Sequence, residues 1–274
     1  MGTRSTSPDG GLFGPGSVSW TVNRETTVLF GGARALLMQA AHPLILAGAR
    51  HTGFYERNAW KRLERTLQLT YAITFGTGEE AREAARRINA AHEHVHGVDE
   101  VTGLPYDARD PELLLWVHAC LVDSQLLFEQ LTVGKLDDQG RERYHREQMT
   151  GVELLGLDRN RIPPTVPALR AYVKDVVASG ALRVTPETMR VASLIRHPPP
   201  EVPWRPVLKR VARWAFGTLP PPLRAAYGVS WGRVDQLGLR GSLATVKVVR
   251  PLLPAAIREI FPARQAARRV AGVG

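Results

Sequence analysis

Apolar side chains recur along most of the chain every three or four residues, and strict alternation of polar and apolar positions is rare. The first spacing is that of one face of an α-helix, whereas alternation is typical of a half-buried strand. The pattern predicts a first helix over residues 24–49 and a second over residues 59–75, with Asn58 as its N-cap. Residues 76–97 follow as a third helix, whose acidic first turn suits the helix dipole.

Two further helices are predicted in the middle of the chain. Residues 109–133 begin with Asp110 as N-cap and Pro111 at the first helical position, where the missing N–H does no harm. Residues 136–156 carry the next helical pattern. Proline-rich breaks at residues 162–167 and 197–206 then separate shorter helices.

The pattern as a whole predicts an all-α protein built as a single compact helical bundle. No internal repeat is evident, and no linker is long enough to force a domain boundary. We expect residues 1–22 to form a Gly-rich lead-in, residues 23–260 the helical domain, and residues 261–274 a basic tail outside the bundle.

Composition narrows the class of protein. The chain has 274 residues, of which 44% are hydrophobic and 23% charged, an ordinary globular balance. Its single cysteine, Cys120, excludes an intrachain disulfide and a cysteine-based zinc site. No apolar leader follows Met1, and no run of about 18 apolar residues is present. We therefore expect a cytoplasmic protein without an integral membrane span.

The charge balance is strongly basic. The formal net charge is +10 and the pI about 10.3, which favours nucleic acid, an anionic membrane surface or acidic ligands as partners. The arginines are spread along the chain, however, and no zinc finger or aromatic RNA-binding motif is present. We therefore expect no nucleic-acid partner.

Three histidines crowd the end of the third predicted helix. His92 falls on the apolar stripe, four residues after Ile88, and His96 lies near the edge of that stripe. His94 is about 200° away from His92 at 100° per residue, so it faces outward. Alanines around His92 leave space for a planar ligand. The alternative is a core histidine that is hydrogen-bonded to a backbone carbonyl.

The second predicted helix carries an arginine–threonine cluster, "RLERT". Arg62 and Thr66 are four residues apart and share a face, and Arg65 lies beside them. An arginine on an apolar helix can bind a carboxylate with two parallel hydrogen bonds. The alternative is a solvated basic edge.

Other histidines lie within apolar segments. His42 directly precedes Pro43, which kinks a helix, so its ring either bonds near the kink or enters a pocket. His118 shares a face with Leu114, and its ring likewise either forms a hydrogen bond within the core or enters a pocket. His145 is surrounded by charged residues and is predicted to lie on the surface.

Signatures of other enzyme classes are missing from the sequence, including the GxSxG elbow, the P-loop and HExxH. The pair His92 and His96 has no evident carboxylate partner for a metal site. Several helices each bring one apolar-face histidine to a basic protein. That pattern fits a large, planar, anionic cofactor such as haem better than a bare metal ion.

An ordered set of short motifs resembles a known family. The strings are "GLFGPGSVSW", "LLMQAAHP", "AGARHTGF", "RLERTL", "RRINAAHEHVHG" and "DPELLLWVHACLVDS", with "AYGVSWG" near the end. Over roughly residues 10–235 the chain resembles the large bacterial family that groups latex-clearing protein, the rubber oxygenase, with the MpaB-type oxygenases. The resemblance implies a globin-like core with extra helices and haem b bound without a covalent link.

The resemblance also implies site residues. It makes His92 the axial ligand of the iron, with His96 as the alternative, and it places Arg62, Arg65 and Thr66 beside the haem. The latex-clearing branch has lysine where Arg65 stands, so a lysine-capped state is not expected. That branch also uses a glutamate as base. Glu56 is the carboxylate in the corresponding stretch, but it lies too close to Arg62, which argues against rubber cleavage.

The resulting expectation is a haem b-dependent oxidoreductase, of oxygenase or peroxygenase type, acting on a small apolar substrate with O2 or peroxide. Arg62 and Thr66 would act on the reacting side of the haem. His42 and His118 would support the site or deliver protons. Two alternatives remain open. One is a haem-binding sensor or carrier without turnover, and the other is a non-haem helical module for an anionic ligand.

Overall fold

The computed structural model of the protein describes residues 10–53, 59–198 and 204–272; of the side chains between residues 59 and 66 it describes only that of Glu64. Helices dominate this part of the chain, and the sheet within it is a single two-stranded hairpin. The all-α prediction is therefore confirmed. The helices are α1 (Val18–Asn23), α2 (Thr26–Leu29), α3 (Gly31–Ala40), α4 (Pro43–His51), α5 (Ala59–Phe75), α6 (Gly78–Glu93), α7 (Pro111–Thr132), α8 (Asp138–Glu153), α9 (Val166–Ala178), α10 (Pro186–Arg196), α11 (Arg205–Gly217), α12 (Pro221–Ala226), α13 (Arg233–Val249), α14 (Ala255–Arg258) and α15 (Phe261–Val270).

The first predicted helix is divided into three. The expectation of one continuous helix over residues 24–49 was wrong, because α3 and α4 are separate helices whose directions differ by 102°. Pro43 lacks an N–H and disfavours the helical conformation of the residue before it. His42 accordingly adopts extended angles, φ −85° and ψ 115°, and forms the N-cap position of α4.

The third predicted helix ends earlier than expected. It stops at Glu93, and the chain continues as strand β1 (His96–Val98), which pairs antiparallel with β2 (Pro105–Asp107). Gly97 allows this pairing to be tight, since a Cβ there would lie 2.9 Å from the Tyr106 hydroxyl. The hairpin packs against α4 and closes one side of the bundle.

Helix α7 runs through the centre of the bundle, with α3 packed along it. Arg34 on α3 is buried. Its guanidinium pairs with Asp123 at 2.9 Å, and it also donates hydrogen bonds to Ser124 Oγ at 2.7 Å and to the Thr218 carbonyl at 3.0 Å. A buried guanidinium requires such partners. The network ties α3 and α7 to the end of α11.

Both ends of the described chain contribute to the packing. Trp20, within the expected lead-in, packs with Phe75 and with Ala263 and Ala266 of α15. Residues 261–270 therefore form a docked helix rather than a tail outside the bundle. A buried ion pair between Glu25 and Arg250 joins the two halves of the chain as well.

No single helix among the described residues combines the length and apolar character needed to cross a membrane. The bent pair formed by Thr26–Ala40 and Pro43–His51 reaches that length and composition when its two parts are counted together.

Candidate functional site

A cavity of about 360 Å³ lies between α4, α5, α6, α7, α8 and the hairpin. Small-molecule sites range from roughly 300 to 1,000 Å³ and are mostly apolar. This cavity fits that description, because most of its wall is aliphatic. The aliphatic wall includes Leu44, Ile45, Ile73, Val117, Val152 and Leu155.

Small residues keep the cavity open. Four of its lining residues are small: Gly48 and Ala49 of α4, Ala108, which follows the hairpin, and Gly151 of α8. A Cβ at Gly48 would lie 3.2 Å from Val95, which is tight, whereas a Cβ at Gly151 would make ordinary contacts of 3.7 Å with Phe13 and 3.8 Å with Ile73. The space beside Gly151 is therefore accessible to a larger side chain.

His92 lines the cavity from the last turn of α6. The residue is half-buried, and its Nδ1 atom is enclosed without a hydrogen-bond partner among the described residues. Burial lowers the pKa of His92, and the Asp107 carboxylate offsets part of that effect. A neutral imidazole with a nitrogen lone pair is the form that binds a metal.

The neighbouring histidines point away from the cavity. His94 forms the C-cap of α6 and is exposed, and His96 is exposed on β1. The prediction that His92 faces inward and His94 outward is confirmed. His96, the alternative ligand, is not among the residues that line the cavity.

His118 lines the same cavity from α7 and is almost fully buried. Its Nε2 atom is enclosed and has no hydrogen-bond partner in the described part of the chain. Burial, reinforced by the nearby His145, lowers the pKa of His118 to about 3. His118 is therefore a neutral imidazole at physiological pH.

His145 lies behind His118, and the prediction that it is a surface residue was wrong. Its side chain is fully buried, with its ring centroid 6.3 Å from that of His118. His145 Nε2 lies 2.7 Å from the Pro163 carbonyl oxygen, so this nitrogen carries the proton and donates it. The segment around Pro163 covers a side chain whose sequence neighbours are charged.

His42 is not part of the cavity wall that the described residues form, although Leu44 and Ile45, two and three residues later, are. It stands at the turn between α3 and α4, half-buried. Burial lowers the pKa of His42, and the charge of Asp110 at the start of α7 opposes this. A direct role of His42 in chemistry inside the cavity is therefore not evident from its position.

The backbone of α5 contains Arg62, Arg65 and Thr66, but their side chains lie outside the described residues. Thr66 precedes Thr70 by one helical turn, and Thr70 lines the cavity. Asn58, the predicted N-cap, and Glu56 also fall outside the described residues.

Several polar groups of the wall were not identified from the sequence. Thr74 donates to the Thr70 carbonyl at 3.2 Å, Gln148 donates to Ser19 Oγ at 2.8 Å, and the Tyr106 hydroxyl lies 3.2 Å from His51 Nδ1. Thr70 and Thr74 continue the face of Thr66, and this spacing could have revealed them. Gln148 and Tyr106 carry no comparable local signal.

His92 is the residue of this wall that could hold a haem, the cofactor that the resemblance of the sequence implies. Within the described residues, no group of three or more His, Cys, Asp or Glu side chains lies together in a way that could hold a metal ion. A porphyrin brings four nitrogens of its own and needs one or two ligands from the protein. His92, neutral and placed on an apolar wall, meets that requirement.

Comparison with known proteins identifies the family. A family model described as "ER-bound oxygenase mpaB/B'/Rubber oxygenase, catalytic domain" matches residues 20–268. No curated protein and no solved structure gave a significant match. The matched region spans the helices that build the cavity, from α4 to α8. The chain thus belongs to the family of oxygenase catalytic domains that includes mpaB/B′ and rubber oxygenase.

Proposed function

We propose that the protein is a haem b-dependent oxidoreductase of oxygenase or peroxygenase type, acting on a small apolar substrate with O2 or peroxide. One observation carries the proposal: an inward-facing, neutral His92 stands on the wall of an apolar cavity in a chain of an oxygenase family. In this proposal His92 is the protein's ligand to the haem iron. The substrate occupies the apolar remainder of the cavity.

When bound, haem b supplies the redox chemistry by which oxygen or peroxide is activated. The chain's own residues have three tasks around it. His92 holds the cofactor through a ring nitrogen, the aliphatic wall binds the substrate, and the same wall excludes water. The cluster Arg62, Arg65 and Thr66 remains a predicted contact of the haem, with Arg62 paired to a propionate.

His118 is the group to which we assign a hydrogen bond at the cavity. It is neutral near pH 7 and lies on the cavity wall beside Val117 and Leu121, and its enclosed Nε2 atom has no partner among the described residues, so the ring can hold a hydrogen bond to a bound ligand without taking up a proton. His145 stands next to it, with its Nε2 proton directed to the Pro163 carbonyl. The tautomer of His145 is thereby fixed, and its Nδ1 atom is left as an acceptor.

The first experiment is an absorption spectrum. The protein expressed with a haem precursor should show a Soret band, and His92→Ala should abolish or strongly alter it. His94→Ala is the matched control, because His94 is exposed at the end of the same helix, and it should leave the band intact. Equal loss in both variants, or in neither, would contradict the assignment of His92.

Turnover separates an enzyme from a carrier. A haem-loaded protein that converts an apolar substrate only in the presence of O2 or peroxide is an oxygenase or peroxygenase. A haem-loaded protein that yields no product from a panel of such substrates is a sensor or carrier. Absence of any Soret band would instead favour a helical module that binds a different anionic ligand.

A further inference from the structure

Helix α13 is apolar on two opposite sides. On the inner side, Leu239 and Leu243 are buried against Phe128 of α7 and Trp214 of α11. On the outer side, Val234, Leu237 and Val248 are 82%, 67% and 72% exposed. The inner side explains how α13 is held on the bundle. The outer side has no partner among the residues that the structure describes.

The outer residues form one continuous stripe. At 100° per residue, they fall in a sector of about 80° and extend about 21 Å along the helix. All of the positions in this sector are uncharged. We call this set the α13 stripe: Val234, Leu237, Gly241, Ala244 and Val248. Isolated exposed apolar residues are ordinary on protein surfaces, but a contiguous stripe along a helix indicates a binding surface.

A row of basic residues borders the stripe on one side. Arg233, Arg240 and Lys247 recur every seven residues, which places them about 60 to 100° from the centre of the stripe. All three are exposed. Lys247 donates to the Gln130 carbonyl at 3.2 Å, and Arg233 and Arg240 have no carboxylate partner among the described residues. The acidic residue of the helix, Asp235, lies about 140° from the centre of the stripe, toward the bundle, and pairs with Arg213 at 2.9 Å.

We infer that the α13 stripe docks on an anionic membrane surface. An apolar stripe flanked by arginine and lysine is the arrangement of helices that lie in the membrane interface. Each basic side chain near an anionic leaflet strengthens binding about fivefold. The overall charge of +10 attracts the protein to the same surface. A second copy of the chain is a less favourable partner, because it carries the same charge of +10.

This inference is independent of the proposed function. Helix α13 packs on the part of α7 around Phe128, whereas the cavity is lined by the part around His118. These two positions are about 15 Å apart along the helix. Changes on the stripe should therefore leave the Soret band and the cavity unchanged, and the two ideas can fail separately.

Vesicle flotation tests the inference. The protein should float with vesicles of equimolar phosphatidylcholine and phosphatidylserine at low salt and should remain free with phosphatidylcholine alone. The double variant Leu237→Ser/Val248→Ser should weaken binding about tenfold or more, because two apolar side chains no longer enter the interface. Arg233→Gln/Arg240→Gln should weaken it about fivefold for each charge removed.

Matched controls come from other exposed positions. Val101→Ser removes an exposed apolar residue beside the hairpin, and Arg190→Gln removes an exposed charge on α10. Both should bind vesicles as the unmodified protein does. Circular dichroism of every variant ensures that a loss of binding is not a loss of folding.

A gain of binding is the sharpest test. A Cβ at Gly241, in the middle of the stripe, would meet no atom within 4 Å, so a larger side chain fits there without disturbing the fold. Gly241→Leu should raise vesicle binding about tenfold, and Gly241→Ser, which alters the backbone similarly, should not.

Three results would overturn the inference. The first is no binding of the unmodified protein to anionic vesicles, and the second is equal binding by the stripe variants and the controls. The third is a concentration-dependent dimer in light scattering that Leu237→Ser/Val248→Ser abolishes, since the stripe would then be an interface between two copies.

Discussion

The imidazole rings of His118 and His145 lie with their centroids 6.3 Å apart, enclosed between α7 and α8. Burial disfavours the charged form of each ring and lowers both pKa values, that of His118 to about 3. A second positive charge at this distance would be unfavourable as well. The pair is therefore neutral near pH 7, and its protonation opposes folding.

Stability should consequently fall in acid. In the unfolded chain a histidine binds a proton below about pH 6.5, whereas folded His118 does so only near pH 3. Between these values the unfolded state holds more protons, so the free energy of unfolding decreases as the pH is lowered. His118→Leu should reduce the slope of the free energy of unfolding against pH by up to ~1.4 kcal/mol per pH unit. Urea unfolding at a series of pH values between 7 and 4 measures this slope.

The control for that experiment is Val117→Ala. Val117 lines the same cavity beside His118 but carries no titrating group. Its truncation should lower the free energy of unfolding by a similar amount at every pH. If His118→Leu keeps the slope of the unmodified protein, then His118 does not titrate between the two states as its burial implies.

The orientation of His92 and His94 could be predicted because it depends on local geometry alone. The helical period fixes which residues of α6 share a face, and Ala81, Ala84 and Ala85 mark the buried one. His145 could not be predicted in this way. Its neighbour Arg146 is exposed, but the side chain of His145 is covered by the segment of Pro163, eighteen residues away.

The helix boundaries show the same limit. Pro43 signalled a kink in the sequence, but the turn of 102° depends on how α3 and α4 pack against the rest of the bundle. The end of α6 at Glu93 depends on the pairing of His96 with Asp107 across the hairpin. Such a pairing is set by the tertiary fold, whereas the helical pattern of residues 76–97 is local.

Two adjacent glycines should respond in opposite directions to alanine. A Cβ at Gly31 would lie 2.9 Å from the Ser124 carbonyl oxygen and 3.2 Å from the Phe128 ring, where α3 approaches α7. Gly31→Ala should therefore destabilise the protein by about 1–3 kcal/mol. A Cβ at Gly32 would meet nothing within 4 Å, so Gly32→Ala should stabilise the helix by up to about 1 kcal/mol. The thermal midpoints of the two variants test this prediction. A shift of both midpoints in the same direction would show that the close contact of α3 with α7 at Gly31 does not determine the effect of alanine.

The buried pair of Glu25 and Arg250 should be important for stability. Its side chains are 3% and 5% exposed, and Arg250 Nε donates to Glu25 Oε2 at 2.8 Å. Arg250→Met leaves the Glu25 carboxylate buried without its partner and should cost about 3–5 kcal/mol in urea unfolding. The double variant Glu25→Gln/Arg250→Met should recover part of that loss. In contrast, Arg87→Met breaks the exposed pair with Glu83 and should leave the midpoint of urea unfolding nearly unchanged, because solvent screens that pair. If Arg250→Met and Arg87→Met reduced stability equally, burial would not determine how much the pair of Glu25 and Arg250 contributes.

If the proposed haem binds in the cavity, filling the cavity should prevent its binding without unfolding the protein. Gly151 lines the cavity from α8, and a Cβ there makes only ordinary contacts with Phe13 and Ile73. Gly151→Ala should therefore be tolerated, and it should gain up to about 1 kcal/mol from the better helix propensity of alanine. Gly151→Leu extends three further carbons from the same wall into the cavity in which we propose that haem binds. We expect Gly151→Ala to retain haem, and Gly151→Leu to lose most of it while keeping the same helical circular dichroism spectrum.

Haem titration followed by Soret absorption measures the difference in haem binding between the two variants. Equal haem content in the two variants would place the cofactor outside this cavity, and with it the proposed role of His92.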